Sequence, residues 1–162
     1  MSLPVGTGPE RVVLEALLDE NRESLVECID GLSEDDARRS LVPSLTTPLG
    51  VLKHVACAER SWFQRRLASL PESEWDGYAY GDEPSWSLAE GDTVASVIEE
   101  FQQAASRSRE IAAAYDLDHT IEHDVMGTLS LRWIYLHMIE EVARHAGHAD
   151  ILREQIDGKT AT

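Results

Sequence analysis

The 162 residues carry 14 lysines and arginines against 30 aspartates and glutamates, a formal net charge of -16 at pH 7. That balance leaves no basic footprint for phosphate, which argues against nucleic acid and anionic membrane surfaces as partners. Hydrophobic residues at 43% and charged residues at 27% are ordinary for a globular protein, and the length suits one domain, residues 1–162, with a real core. No apolar run approaches the ~18 residues of a membrane span, and no segment has the basic-then-apolar form of a signal peptide. A cytoplasmic protein is expected. Cys28 and Cys57 lack metal-hook spacing and are expected to be small buried thiols.

In chain order, residues 1–8 form a lead-in, and Pro9 and Glu10 suit a first helical turn. Val13, Leu14, Leu17, Leu18, Leu25, Cys28 and Ile29 then mark one apolar helix face, which Gly31 ends. A short helix is expected over 32–39, where Ser33 and Asp36 have capping-box spacing. Thr47-Pro48 is a hydroxyl cap followed by proline at the first helical position, opening a second long helix to about Leu67. Its stripe is Leu52, Val55, Ala56, Glu59, Trp62 and Phe63, and it carries His54.

Residues 70–91 are unpatterned, yet their two tryptophans and two tyrosines suggest a segment folded back as a lid or rim, or simply as a cover over the core. Asp92 is expected to cap a third long helix through about Ala114. Residues 116–127 cross over with no convincing strand. Thr128 or Ser130 caps a fourth long helix ending near Gly158. The pattern reads as all-α, a four-helix bundle. Its connections are long enough that a plain up-down-up-down order cannot be assumed, so non-simple crossover connectivity is expected.

The fourth long helix holds the chemistry. His137, Glu141, His145 and His148 recur at steps of four, four and three, on the side shared with Ile134, Met138, Val142, Ala149 and Leu152. A charge placed there needs a partner, a hydrogen bond or a metal. Glu141 and His145, one turn apart, form a sound pair of divalent-metal ligands, and the best third is His54. Three protein ligands would leave an open position, as catalytic zinc sites do. The competing reading of Glu141 is an ion pair with Arg144 or Arg132. For His148 a fourth metal ligand, a hydrogen-bond donor to a ligand and a catalytic acid/base all remain open. His137 reads most simply as a packing residue, and His119 and His123 as solvated or locally paired.

Several segments carry a family resemblance. They are Thr47-Pro48-Leu49-Gly50, the stretch from Leu52 to His54, and Glu59 through Phe63 in the second long helix. In the fourth they are Leu131 to Trp133, His137 to Glu141, and Ala143 through Arg153. The chain resembles the DinB-like superfamily, and within it the actinobacterial branch near the mycothiol-dependent maleylpyruvate isomerases and thiol S-transferases. The resemblance implies a DinB-like four-helix bundle with unusual crossings. It also implies a divalent metal, zinc or nickel, near one end on His54, Glu141 and His145. Many relatives have histidine where this chain has Glu141; glutamate keeps a ligand but changes the charge of the site.

The activity so implied is metal-dependent transfer of a small-molecule thiol, with mycothiol as cosubstrate, to an electrophile. His148 would be a fourth ligand or a proton carrier. Trp62, Trp75, Trp86 and Arg132 are candidates for the wall that binds the cosubstrate. The isomerases add a C-terminal domain that completes their site, whereas this sequence stops shortly after Gly158. Isomerisation itself is therefore not expected, and a missing wall would come from residues 70–91 or a second subunit. A homodimer is expected. Two other readings stay open, a metal-dependent hydrolase and a non-catalytic metal-stabilised binding or stress-related protein.

Overall fold

A computed structural model describes residues 6–161. The first five residues of the expected lead-in, and Thr162, lie outside the described residues. Helix α1 spans Glu10–Ile29 and buries Leu14, Leu18, Leu25, Cys28 and Ile29. Gly31, at φ 75°, then supplies the left-handed turn that side chains resist. Helix α2 is the single turn Glu34–Ala37, capped by Ser33, whose hydroxyl accepts from the Asp36 amide.

Helix α3 spans Pro48–Glu59, and Thr47 Oγ1 accepts from the Gly50 amide at 3.0 Å. The chain does run helically to Leu67 as expected, but from Arg60 onward it widens into a π-helix, Arg60–Leu67. The Ala68 amide there reaches back to the Phe63 carbonyl at 2.9 Å. Polar anchors hold this segment. The buried Gln64 donates to Asp76 Oδ1 and accepts from the Asp76 amide, while Arg60 pairs with Asp76 and Glu100.

These anchors also tie down residues 70–91. They form two short 3-10 turns, Glu72–Glu74, which is exposed, and Glu83–Trp86, which packs against α3.

Helix α4 spans Val94–Ala112. Its cap is Thr93 rather than the expected Asp92: the Thr93 hydroxyl accepts from the Ser96 amide, and the Ser96 hydroxyl accepts from the Thr93 amide. Asp92 instead accepts from the Ala89 amide and pairs with Lys53. The crossover departs further from expectation. Thr120–His123 (β1) and Gly127–Ser130 (β2) pair antiparallel, with Ile121 opposite Leu129 and His123 opposite Gly127. Gly127, at φ 75°, makes the turn possible. Ser130 then caps α5, Leu131–Asp157, by accepting from the Trp133 amide, and Gly158 ends it at φ 77°.

The structure is thus mostly helical with one small hairpin. Helix α5 packs along α1 and also against α3, and α3 packs against α4. Leu18, Leu25, Phe63, Phe101, Ile134, Met138 and Val142 fill the space between them. Each such side chain contributes about 1.5–3 kcal/mol on burial. One ion pair lies inside this core. Arg22 of α1 donates from Nε and Nη2 to the two oxygens of Glu59 at 2.8 Å each, and its Nη1 reaches Asp19. No helix among the described residues is long and apolar enough to cross a membrane.

Candidate metal centre

On α5, one helical turn sets Glu141 and His145 on the same face, and α3 presents His54 to both. The Nε2 atoms of His54 and His145 each stand 3.2 Å from the same Glu141 oxygen, Oε1. One ligand atom from each of the three residues lies within 4.8 Å of the others. Both histidines are buried at 7% exposure, while the Glu141 side chain keeps 17%, so the cluster sits just under the surface. The hydrogen bond from His145 above all holds the Glu141 carboxyl well below its ordinary range, against the opposing effect of burial.

The turn Glu83–Trp86 closes one side. Ser85 Oγ lies 2.7 Å from His54 Nδ1 and donates to the Asp82 carbonyl at 2.5 Å. Trp86 stacks flat on the His54 ring, with centroids 4.1 Å apart and planes at 11°, and meets the His145 ring edge-on at 5.4 Å. Gly50 permits this docking: a Cβ there would stand 3.2 Å from the Trp86 carbonyl oxygen and 2.8 Å from Thr47 Oγ1. His145 Nδ1 is buried and, among the described residues, has no hydrogen-bond partner.

His148 is exposed, one turn beyond His145, with ring centroids 5.3 Å apart. It flanks the three-residue cluster instead of converging with it. Partial burial, and then the neighbouring His145 and Arg144, favour its neutral form. An open cleft of about 400 Å³ between His148, Val42, Ser44, Thr46, Ile151 and Leu152 adjoins it. A second, of about 540 Å³, runs along Pro43–Thr46 to Glu83 and Trp86. Ser44 and Thr46 line both, so one loop separates two clefts beside the cluster.

The other expected wall residues lie elsewhere. Arg132 is nine residues before Glu141, a half-turn offset at 100° per residue, and it pairs with Glu10 and Asp118. Trp62, two turns after His54, packs against His123, Trp133 and His137 under the Arg66 guanidinium. Trp75 donates its indole N–H to the Leu70 carbonyl and meets Tyr80. Of these aromatic candidates only Trp86 touches the cluster. Arg144 pairs with Glu140, so neither arginine serves Glu141. His137, one turn before Glu141, packs between Trp62 and Trp133, and burial favours its neutral form. His119 lies against Tyr115, and His123 Nδ1 accepts the Val125 and Met126 amides within the hairpin turn.

Ser85 was not among the expected residues. A serine inside an aromatic loop carries no mark of a distant histidine, and only the folded turn Glu83–Trp86 brings the two together.

This arrangement can be set beside known proteins. No curated protein matches the chain significantly. A crystal structure described as the conserved protein of locus from Enterococcus faecalis superposes with a TM-score of 0.63 at 14% identity, covering 91% of this chain and 96% of that one. At that identity the likeness speaks to the fold alone. A family model for mycothiol-S-transferase matches residues 13–158, an interval that includes His54, Glu141, His145 and His148. The chain belongs to the mycothiol-S-transferase family.

Proposed function

We propose that this protein is a metal-dependent thiol S-transferase that joins a mycothiol-type thiol to an electrophilic small molecule. The four long helices are read as the DinB-like four-helix bundle, with His54, Glu141 and His145 holding the metal near one end. The observation that carries this reading is the convergence of two imidazole nitrogens on one carboxylate oxygen, 3.2 Å from each, in a pocket only slightly open to solvent. Two neutral nitrogens and one carboxylate oxygen suit zinc first and nickel second. Two histidines and one glutamate leave room for a further ligand. A divalent cation in this place supplies Lewis acidity, which favours the thiolate form of a thiol at neutral pH.

The chain's own residues do the rest. The two clefts flanking Ser44 and Thr46, one reaching His148 and the other Trp86, are the seats assigned to the thiol and the electrophile. His148, exposed beside His145, is placed to take the thiol proton as the sulfur–carbon bond forms. Any leaving group departs from the carbon with its electron pair.

Incubating the protein with zinc, thiol and electrophile and following all species by mass spectrometry tests the proposal. Equal consumption of thiol and electrophile, abolished by His54→Ala, supports it. Product formed from the electrophile without thiol would replace transfer with hydrolysis, and no turnover at all would return the site to a binding role.

A further inference from the structure

We propose that Ser85 is a positioning residue that fixes the tautomer of His54, so that the turn Glu83–Trp86 prepares one ligand of the cluster while His145 is left unprepared. A serine hydroxyl has a single proton and can both donate and accept, whereas a carbonyl oxygen only accepts. Ser85 Oγ is 2.5 Å from the Asp82 carbonyl oxygen and 2.7 Å from His54 Nδ1. The hydroxyl proton therefore goes to Asp82, and the serine oxygen accepts from His54 Nδ1–H. A neutral imidazole protonated at Nδ1 has its lone pair at Nε2. That lone pair faces Glu141 Oε1 at 3.2 Å.

Two acceptors are thus held face to face, an arrangement that a cation between them relieves. Rotation of the ring offers no escape, because Trp86 lies flat against it at 4.1 Å and Ser85 itself is buried. His145 differs. Its Nε2 stands at the same 3.2 Å from the same oxygen, but its Nδ1 meets no partner among the described residues. The neutral form that suits this surrounding keeps the proton on Nε2, where it is donated to Glu141. His54 is consequently the ligand set in advance, and His145 must move its proton before it can ligate through Nε2. The partner that sets a metal-binding histidine's other nitrogen commonly changes affinity about 10–100-fold.

The consequence for affinity rests on the metal reading given above; the tautomer itself does not. Nitrogen NMR of ring-labelled, metal-free protein in alkaline buffer reads the protonated nitrogen directly. The expected result is a proton on Nδ1 of His54 and on Nε2 of His145, with Ser85→Ala moving the His54 proton to Nε2. A proton on Nε2 of His54 in the unsubstituted protein, or no change in Ser85→Ala, overturns the proposal. Zinc affinity by chelator competition is then expected to fall about 10–100-fold in Ser85→Ala, with the metal-free fold retained by circular dichroism. Equal zinc affinity in the two proteins also overturns it, while leaving the metal site standing. If neither protein binds zinc, the metal reading fails, and the NMR result still decides the role of Ser85.

Discussion

Helix α3 contributes to two buried charge clusters, and they are built in opposite ways. Toward α1 it offers Glu59, at 0% exposure, whose two oxygens are matched by two N–H groups of Arg22 at 2.8 Å. Asp19 takes the remaining reach of that guanidinium. Toward α5 it offers His54, which with His145 crowds a single oxygen of Glu141. In the first cluster the cation is part of the chain and each guanidinium nitrogen has an acceptor. In the second, among the described residues, Glu141 pairs with histidines and with no lysine or arginine, and one buried nitrogen has no partner. A carboxylate closed by arginine holds helices together. One closed only by imidazoles suits a removable cation.

The comparison is broken most forcefully by removing the fixed cation. Arg22→Met should destabilise the protein by about 3–5 kcal/mol in urea unfolding, because Glu59 is left buried and unpaired. Adding Glu59→Leu to that variant should recover much of the loss. No recovery would mean that the pair has a role beyond mutual neutralisation.

A smaller effect belongs to Glu141, whose folded carboxyl is held below its ordinary value of 4.5 by the hydrogen bond from His145. The sign follows from linkage. The stabilisation is fully present above about 4.5 and is lost as pH falls below it, since the unfolded state then binds the proton first. Without metal, Glu141→Gln should cost about 1.5–3 kcal/mol at neutral pH, and its urea midpoint should converge with that of the unsubstituted protein as the buffer is acidified. A constant gap across the acid range would contradict this account.

The smallest change is expected at the rim of the saturated cluster. Arg109 pairs with Asp19 but is 49% exposed, so Arg109→Ala should cost about 0.2–1 kcal/mol, diminishing in high salt. A larger loss would mean that the Arg22 network extends to the surface as a unit.

Much of this contrast was legible in the sequence, for identifiable reasons. Thr47-Pro48, Ser130 and Gly158 act within one helical turn, so their neighbours alone foretell the helix ends. Glu141 and His145 are likewise neighbours on one helix. His54 needed both the metal-chemistry argument and the family resemblance, since no spacing links α3 to α5. What escaped depends on distant contacts. The π-helical turn after Glu59 is held by Arg60 and Gln64 reaching Asp76, a partner in the following loop. Arg132 reads as a partner for Glu141 or a wall residue until α1 brings Glu10 beside it. The hairpin left a fainter local signal, alternation around Ile121 and Leu129 with Gly127 in the turn, but four-residue strands are too short to override a loop-like composition.

The central claim is that the second cluster is made for a cation that the chain does not itself provide. Elemental analysis of protein purified without added metal, side by side with His54→Ala, tests it most directly. The account predicts near one divalent metal per chain in the unsubstituted protein, lost in the variant with the fold retained by circular dichroism. No metal in either, even after incubation with zinc or nickel and with thermal stability unchanged, would contradict it, leaving His54, Glu141 and His145 as an internal hydrogen-bond network.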